Sequence, residues 1–251
     1  MASDIILEKI RNWELLDDPT IPLVLYDEQL VYRYGDYISI PYIPEGVRIL
    51  DCNGINAKRL PRLPISLRQL HCSMYDLDEL PDLPCNLEIL ICDNAYNLTQ
   101  LPPLPPTLKL LSCKHVCIQL TNVALPEGLE YLCMNGIYNC TPPLHLPASL
   151  KVLQCTDNHI SHIESLPEQL ESLDCSYNGL TELPALPSTL KELVCICNGL
   201  ASLPEIPTNI CYIYVTGNSV DFGIELPDDS WDIHGQSIHK YHYNRLLQEC
   251  I

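Results

Sequence analysis

The sequence predicts a solenoid in which short parallel β-strands stack into one long sheet. Two observations lead to this prediction. A unit of 20 or 21 residues recurs along most of the chain, and each copy carries apolar positions with the spacing of a strand. The composition agrees, because the 251 residues include 22 Pro and one Phe, whereas a compact globule of this size fills its centre with several Phe.

The first half of each unit reads Leu-x-x-Leu-x-Cys, as in residues 67–72 and 170–175. Side chains alternate along a strand, so this pattern predicts a strand whose third position points outward on the concave face of the solenoid. Copies of one strand stack in parallel, and nine or ten of them make a rod on the order of 45 Å long. An imperfect copy ending at Pro44 precedes nine copies, which begin at Val47, Leu67, Leu87, Leu108, Leu129, Leu150, Leu170, Leu190 and Ile210.

The second half of the unit reads Leu-Pro-x-Leu-Pro, as in residues 80–84 and 183–187. Proline lacks an N–H donor and pushes the preceding residue towards extended geometry, which excludes both helix and central strand. We therefore expect an extended, polyproline-like return on the convex side.

The ends of the array need caps that cover its terminal layers. Residues 4–16 predict an amphipathic helix with Asp4 as N-cap and with Ile6, Ile10, Trp13 and Leu16 on one face. Residues 237–250, which include Ile238, Tyr241 and Leu246, predict a short closing helix. We expect an N-terminal helical cap at 1–27, the solenoid at 28–227 and a C-terminal cap at 228–251.

The full unit, Leu-x-x-Leu-x-Cys-x-x-Asn-x-Leu-x-x-Leu-Pro-x-Leu-Pro, resembles the short leucine-rich repeat of type-III-secreted bacterial effectors. Similar Cys-bearing copies occur in repeat proteins of large DNA viruses. The resemblance covers residues 28–227 and implies a leucine-rich-repeat solenoid that serves as a scaffold for protein partners. Some of these effectors carry a C-terminal ubiquitin-ligase domain with a nucleophilic Cys. Only about 25 residues follow the last repeat, so we expect no such domain here.

Three columns of the repeat have structural interpretations. The sixth position is occupied by Cys, with Met134 and Val215 as substitutes, which indicates core packing rather than metal or redox chemistry. The ninth position is Asn in the last repeats and should bond to turn backbone groups, as for Asn158, Asn178, Asn198 and Asn218. The second position alternates in charge and should hold the register between strands, at Glu88, Lys109, Glu130, Lys151, Glu171 and Lys191.

The third position provides the main candidate binding surface. Four consecutive repeats place apolar residues there, and a fifth-position Ile lies beside them. A contiguous apolar patch on a surface often marks a partner site, although Ile, Val and Tyr are also good strand formers. The predicted protein-binding stripe consists of Ile89, Ile91, Leu110, Tyr131 and Val152.

A second candidate patch lies towards the C-terminal end of the same face. Tyr with acidic neighbours suits an interface that recognises a basic protein segment. Its predicted members are Asp174, Tyr177, Glu192, Tyr212 and Tyr214.

Several classes of function are not expected. The formal charge of −18 argues against nucleic acid and anionic membranes as partners. His and Cys in the tail and at 159–162 lack the spacing of a zinc site, and no phosphate-binding loop or catalytic motif is present, so we expect no metal, no cofactor and no catalytic residue. Fourteen Cys without a signal peptide or an apolar span indicate reduced thiols and a cytoplasmic location, with the cytoplasm of a host cell or a virion as the alternatives.

The sequence thus predicts a non-enzymatic protein-interaction module that binds a protein of unidentified type on its concave face, as an adaptor, effector or recognition protein. Two alternatives stay open at this point. One is a structural component of a virus particle or other assembly. The other is a substrate-binding subunit of a ubiquitin-ligase system whose catalytic domain is on another chain. The oligomeric state is also open.

Overall fold

The computed structural model describes residues 2–27, 37–118, 123–137 and 145–219. Within these residues a helix, α1 (Ala2–Leu16), precedes ten parallel strands that form one sheet in chain order. The strands are β1 (Leu23–Val24), β2 (Ile49–Asp51), β3 (Gln69–His71), β4 (Ile89–Ile91), β5 (Leu110–Ser112), β6 (Tyr131–Cys133), β7 (Val152–Gln154), β8 (Ser172–Asp174), β9 (Glu192–Val194) and β10 (Tyr212–Tyr214). Each of the nine predicted repeats contributes one strand, β2 to β10, and the predicted solenoid is confirmed.

Successive strands pair at the same positions of the repeat, so that Gln69 faces Ile89 and Leu70 faces Leu90. The second-position carbonyl accepts two backbone N–H groups of the next repeat. Arg68 O, for example, accepts from Glu88 N at 2.8 Å and from Ile89 N at 3.0 Å. A register slip would break both bonds, which fixes the stacking.

The first, fourth and sixth positions of the repeats lie in one continuous apolar cluster, which we call the main core. Leu67, Leu70 and Cys72 are fully buried there, and the leucines of the returns, such as Leu60 and Leu63, close it from the other side. Burial of a Leu stabilises the folded chain by about 1.5–3 kcal/mol, so this cluster supplies most of the driving force for folding.

The cysteine column lies inside the main core, as its packing interpretation requires. The Cys72 thiol donates a weak hydrogen bond to Ile91 O, with an Sγ–O distance of 3.4 Å, and Cys52 bonds in the same way to His71 O at 3.2 Å. Burial raises the pKa of the Cys72 and Cys175 thiols well above the ordinary value. The Cys72 and Cys175 thiols are therefore neutral small side chains, and the thiols of Cys52 and Cys72 also bond to the next repeat.

The Leu-Pro-x-Leu-Pro segments contain neither helix nor strand within the described residues, and each ends in a turn that leads into the next strand. In one example Leu67 N donates to Pro64 O at 3.1 Å. A hydroxyl in this turn bonds back to the preceding repeat, as Ser66 Oγ does to Val47 O at 2.9 Å. The last proline of the return has no N–H to donate, but its carbonyl oxygen accepts the hydrogen bond that closes the turn.

The asparagine column ties each turn to the preceding repeat. Asn178 Nδ2 donates to the carbonyl oxygens of Cys155 at 2.8 Å, Cys175 at 3.0 Å and Ser176 at 3.0 Å. Its Oδ1 accepts from Ile160 N at 2.9 Å. One side chain therefore satisfies several backbone groups of two repeats, which confirms the structural interpretation.

A second column, which the sequence interpretation missed, serves the earlier repeats and continues in the later ones at Ser176, whose Oγ accepts from Ile196 N at 3.1 Å. At the seventh position a side-chain oxygen accepts the backbone N–H of the next repeat's seventh residue. Asn53 Oδ1 accepts from Ser73 N at 2.8 Å, Ser73 Oγ from Asp93 N at 3.1 Å, and Asp93 Oδ1 from Lys114 N at 2.9 Å. Because Asn, Ser and Asp all perform this role, no single residue type recurs at the seventh position, and the sequence pattern does not reveal it.

The second-position charges pair as predicted. Lys109 Nζ lies 3.0 Å from Glu88, and Lys151 Nζ lies 2.7 Å from Glu130. Arg68 extends the ladder by one repeat through its ion pair with Glu88.

The helix α1 packs against β1 and places Ile6 and Ile10 in the main core. It begins at Ala2, so Asp4 lies in its first turn and is not the N-cap. Leu16 is exposed, contrary to its predicted place on the apolar face, because the helix ends there. The predicted C-terminal cap and its helix lie outside the described residues.

Replacing Asn178 by Ala should lower the free energy of unfolding by about 2–4 kcal/mol, because several buried backbone groups lose their partner. Chemical denaturation with amide exchange at Ile160 measures the effect. Asn209→Ala is the matched control, since the exposed Asn209 side chain donates a single hydrogen bond, to Ser188 O at 3.3 Å, and its loss should change stability by less than about 0.5 kcal/mol. Equal effects of the two substitutions would contradict the role of the column.

Candidate protein-binding surface

The third and fifth side chains of each strand point away from the main core, because neighbouring residues of a strand face opposite sides of a sheet. In β5, Leu111 lies in the main core, while Leu110 belongs to a separate cluster. We call the side of the sheet opposite the main core the outer face. It corresponds to the face that the sequence analysis describes as concave.

Six side chains on the outer face form a second apolar cluster that is distinct from the main core. We call this cluster the apolar stripe. All five predicted stripe residues belong to it, and Cys133 is an additional member. The strand register places Ile89, Leu110, Tyr131 and Val152 directly beside one another on four consecutive strands.

The stripe is not solvent-exposed, which corrects the expectation of an open apolar surface. Ile89, Leu110 and Val152 are 0% exposed, and Ile91 is 6% exposed. The alternation of side chains along the strand correctly predicts which face each residue occupies. The exposed fraction of a side chain on that face depends on the side chains that pack against it.

Polar groups within and beside the stripe are satisfied by hydrogen bonds. Tyr131 Oη donates to Gln154 Oε1 at 2.8 Å, and Ser112 Oγ donates to Asp93 Oδ1 at 2.7 Å. Burial raises the pKa of the Cys133 thiol to about 12, so this side chain is a neutral apolar contact at physiological pH. Cys133 was not among the predicted stripe residues, because the residue type at the fifth position varies between repeats. It lies two residues after Tyr131 in the same strand, so the alternation of side chains places both on the same face.

The second candidate patch is spread over the last three strands and one turn. Tyr212 and Tyr214 lie in β10, where Tyr214 is 39% exposed. Asp174 lies at the end of β8 and accepts hydrogen bonds from Ser176 N at 3.1 Å and Ser176 Oγ at 2.8 Å. Its carboxylate is therefore held by the adjacent turn.

Two members of the second patch lie in surroundings that differ from the prediction. Glu192 is buried, with 5% exposure, and its carboxylate accepts a hydrogen bond from Ser172 Oγ at 2.8 Å. Tyr177 lies in the turn after β8, with a positive φ of 54°, and its side chain is exposed. The exposed side chains of the second patch are those of Tyr177, in the turn after β8, and Tyr214, at the end of β10.

The described residues contain no group of three or more His, Cys, Asp or Glu arranged to hold a metal ion. In the same part of the chain, no helix has the length and apolar character that a membrane crossing requires. All twelve cysteines among the described residues are free thiols.

Two solved structures resemble this chain in fold and sequence. YopM from Yersinia enterocolitica WA-314 is 31% identical with a TM-score of 0.59, and the match covers 75% of this chain and 45% of that one. YopM from Yersinia pestis, described as a leucine-rich effector protein, is 26% identical with a TM-score of 0.56 over 72% of this chain and 58% of that one. This chain thus matches about half the length of these structures. No protein-family model matches the sequence, and no curated protein matches it.

Adjacent residues of β5 test whether the stripe is separate from the main core. Leu110→Glu should lower the free energy of unfolding less than Leu111→Glu does, because its carboxylate has to displace only side chains of the stripe to reach solvent; chemical denaturation and the amide protection of the repeats measure the difference. Leu111→Glu buries a carboxylate within the main core and should prevent folding. Both residues are fully buried, so equal unfolding of the two variants would show that the stripe is an integral part of the core.

Proposed function

Because the chain is a leucine-rich-repeat protein of the bacterial-effector-like family, we propose that it is a non-enzymatic module that binds a protein partner on its outer sheet face. A scaffold of this kind presents side chains at fixed intervals, and the partner is recognised by the pattern of those side chains. The module acts as an adaptor, effector or recognition protein.

The observation that carries this proposal is the apolar stripe. The main core already stabilises each repeat, and the outer face of an isolated scaffold favours polar side chains. Here four consecutive strands place apolar side chains side by side on that face, in a cluster that shares no member with the main core. A contiguous apolar cluster on this face suits an aromatic or aliphatic anchor of a protein partner, and the stripe must open to receive that anchor because its side chains are buried.

The second patch extends this surface towards β10. Exposed Tyr177 and Tyr214 provide rigid amphipathic contacts, and the chain as a whole is strongly acidic, with a formal charge of −18. A basic segment of the partner, placed next to an apolar anchor, would complement both patches.

The proposed site of action is the reducing cytoplasm of a host cell. Free thiols are maintained in such a compartment, and the solved relatives include a protein described as an effector. The match to bacterial effector structures favours this role over a component of a virus particle. A role as the substrate-binding subunit of a ubiquitin ligase is compatible with the fold and becomes an outcome of the partner experiment below.

Simultaneous replacement of Ile89, Leu110 and Tyr131 by Glu should reduce partner capture at least about tenfold, equivalent to ~1.4 kcal/mol, since it places three charges in the apolar contact. Proximity labelling in host cells, followed by quantitative mass spectrometry, measures the capture. Ile65→Glu, on the exposed side of a return, is the control and should capture as the wild type does.

Unchanged capture by the triple variant, with its fold verified by circular dichroism, would refute outer-face binding. Ubiquitin-machinery proteins among the captured partners would support the ligase-subunit role, and their absence would count against it. Stoichiometric recovery of the chain from a purified particle would instead identify a structural component.

A further inference from the structure

Two adjacent repeats form the same turn where the chain leaves the strand. Residues 74–77 follow β3 and residues 95–98 follow β4, and in each the first carbonyl accepts the N–H of the fourth residue, at 3.2 Å and 3.0 Å. The second residue of each turn is a tyrosine, Tyr75 in one and Tyr96 in the other. Because the strands are parallel, both tyrosines lie at the edge of the sheet where the strands end, which we call the carboxyl edge.

The two tyrosines do not serve the main core. The residue before each of them, Met74 or Ala95, is fully buried in the main core, and so is the leucine that ends each turn. Tyr75 and Tyr96 themselves are 50% and 51% exposed. Packing of the repeat therefore does not require an aromatic ring at these positions.

Other described repeats fill the corresponding place differently. Two residues before the same buried apolar position, the repeats of β2 and β5 have Ile55 and Val116, each 2% exposed. The repeats of β7, β8 and β9 have Asn158, Asn178 and Asn198, whose side chains bond to the backbone. Within the described part of the chain, an exposed ring at this place is specific to the repeats of β3 and β4.

The rings of Tyr75 and Tyr96, which we call the tyrosine pair, stack on each other. Their centroids are 5.8 Å apart and their planes differ by 10°. Adjacent strands are about 4.8 Å apart, so equivalent turns in adjacent repeats bring the rings to stacking distance. The solenoid thus holds two exposed rings in one orientation before any ligand arrives, which lowers the entropic cost of binding to them.

Two carboxylates lie beside the tyrosine pair. Asp76 is the third residue of the first turn, and Asp78 follows two residues later. Asn97, in the second turn, donates from Nδ2 to Asp78 Oδ1 at 3.2 Å and so holds this carboxylate next to both turns. Neither Asp76 nor Asp78 forms an ion pair with a described residue, whereas neighbouring Glu79 is paired with Arg59 at 3.2 Å.

An arginine side chain complements this combination of groups. Its planar guanidinium stacks on an aromatic ring, and its N–H groups at the same time donate to a carboxylate in the guanidinium plane. The ammonium of lysine is a strongly hydrated point charge and stacks less well. An anionic ligand would be repelled by the two carboxylates and by the formal charge of −18.

We infer that the tyrosine pair, together with Asp76 and Asp78, is a binding site for an arginine side chain on a basic peptide segment. The site lies at the carboxyl edge, outside the outer face, and goes beyond the proposed function. It is defined by side chains that the fold does not need, and their charge selects a cationic ligand.

Titration of the full chain with a short peptide, followed by nuclear magnetic resonance of carbon-13-labelled tyrosine rings, tests the site. The probe is the peptide Gly-Arg-Gly-Arg-Gly, added at about 0.15 M salt to screen long-range attraction. The ring signals of Tyr75 and Tyr96, assigned from single Tyr→Phe variants, should shift and saturate. The signal of Tyr42, which is exposed and bonds to Glu14, is the internal control and should not shift. Equal shifts at Tyr42 and at the tyrosine pair, or no shift at the pair, would overturn the inference.

A lysine peptide of the same length and charge separates stacking from general attraction. The wild-type chain should bind the arginine peptide at least about threefold more tightly than Gly-Lys-Gly-Lys-Gly. Equal affinity for the two peptides would show that the charge of the chain, and not the tyrosine pair, attracts them. Tighter binding of an uncharged proline-rich peptide would assign the pair to a different ligand, and it too would refute the inference.

Variants of the tyrosine pair identify the contribution of the rings, with the amide signals of residues 76–78 as the readout. Replacing both tyrosines by Leu should weaken binding of the arginine peptide at least about fivefold, because leucine has no aromatic face. Replacing both by Phe should keep the affinity within about twofold of the wild type. The double Asp76→Asn and Asp78→Asn variant should weaken binding at least about threefold at unchanged ring geometry.

Tyr42→Leu is the matched control for the leucine variant and should bind as the wild type does. Unchanged affinity in the double leucine variant would contradict the inference, as would an equal loss in the leucine and phenylalanine variants. The amide spectrum verifies the fold of each variant, and the replaced side chains are half exposed and outside the main core. The peptide titration does not involve the apolar stripe, so its failure would leave the proposed function standing.

Discussion

Each repeat depends on its neighbours to satisfy its buried polar groups. A unit of 20 or 21 residues is too small to pair all of its buried backbone N–H and C=O groups internally. Their hydrogen-bond partners therefore lie in the adjacent repeat. The second-position carbonyl accepts two amides of the next repeat, the sixth-position thiol donates to the next strand, and Asn178 bonds to backbone groups of two repeats. This constraint fixes the register, and the register in turn determines which side chains become neighbours on the outer face.

The same constraint explains why two faces of one sheet have such different roles. The main core contains equivalent residues in every repeat, because any change there disturbs both neighbours. The outer face is free of that requirement, so its composition varies along the chain from Gln69 through the apolar stripe to Ser172 and Tyr212. Because the strands hold the outer-face positions at fixed intervals, varying the residues at those positions changes which protein surfaces the scaffold can recognise. The apolar stripe is the most distinctive feature of that face.

The period of the repeat was sufficient to predict the strands, their parallel order, returns without helix or strand, and the side chains that cluster on the outer face. The seventh-position column escaped prediction because Asn53, Ser73 and Asp93 perform one role with three side chains. Burial of the stripe and of Glu192 was not predictable either. Periodicity assigns a side chain to a face, but its exposure depends on the size and packing of the side chains on neighbouring strands.

The central claim, that the outer face contacts the partner, is tested most directly by site-specific photo-crosslinking in host cells. A photoreactive residue is placed at Tyr214, which is 39% exposed on the outer face, or at Ile65, which is 65% exposed in the turn after a return. The account predicts that one partner protein crosslinks from position 214 and not from position 65. Crosslinking of that partner from position 65 alone would place the binding surface at the turns, away from the outer face, and contradict the account.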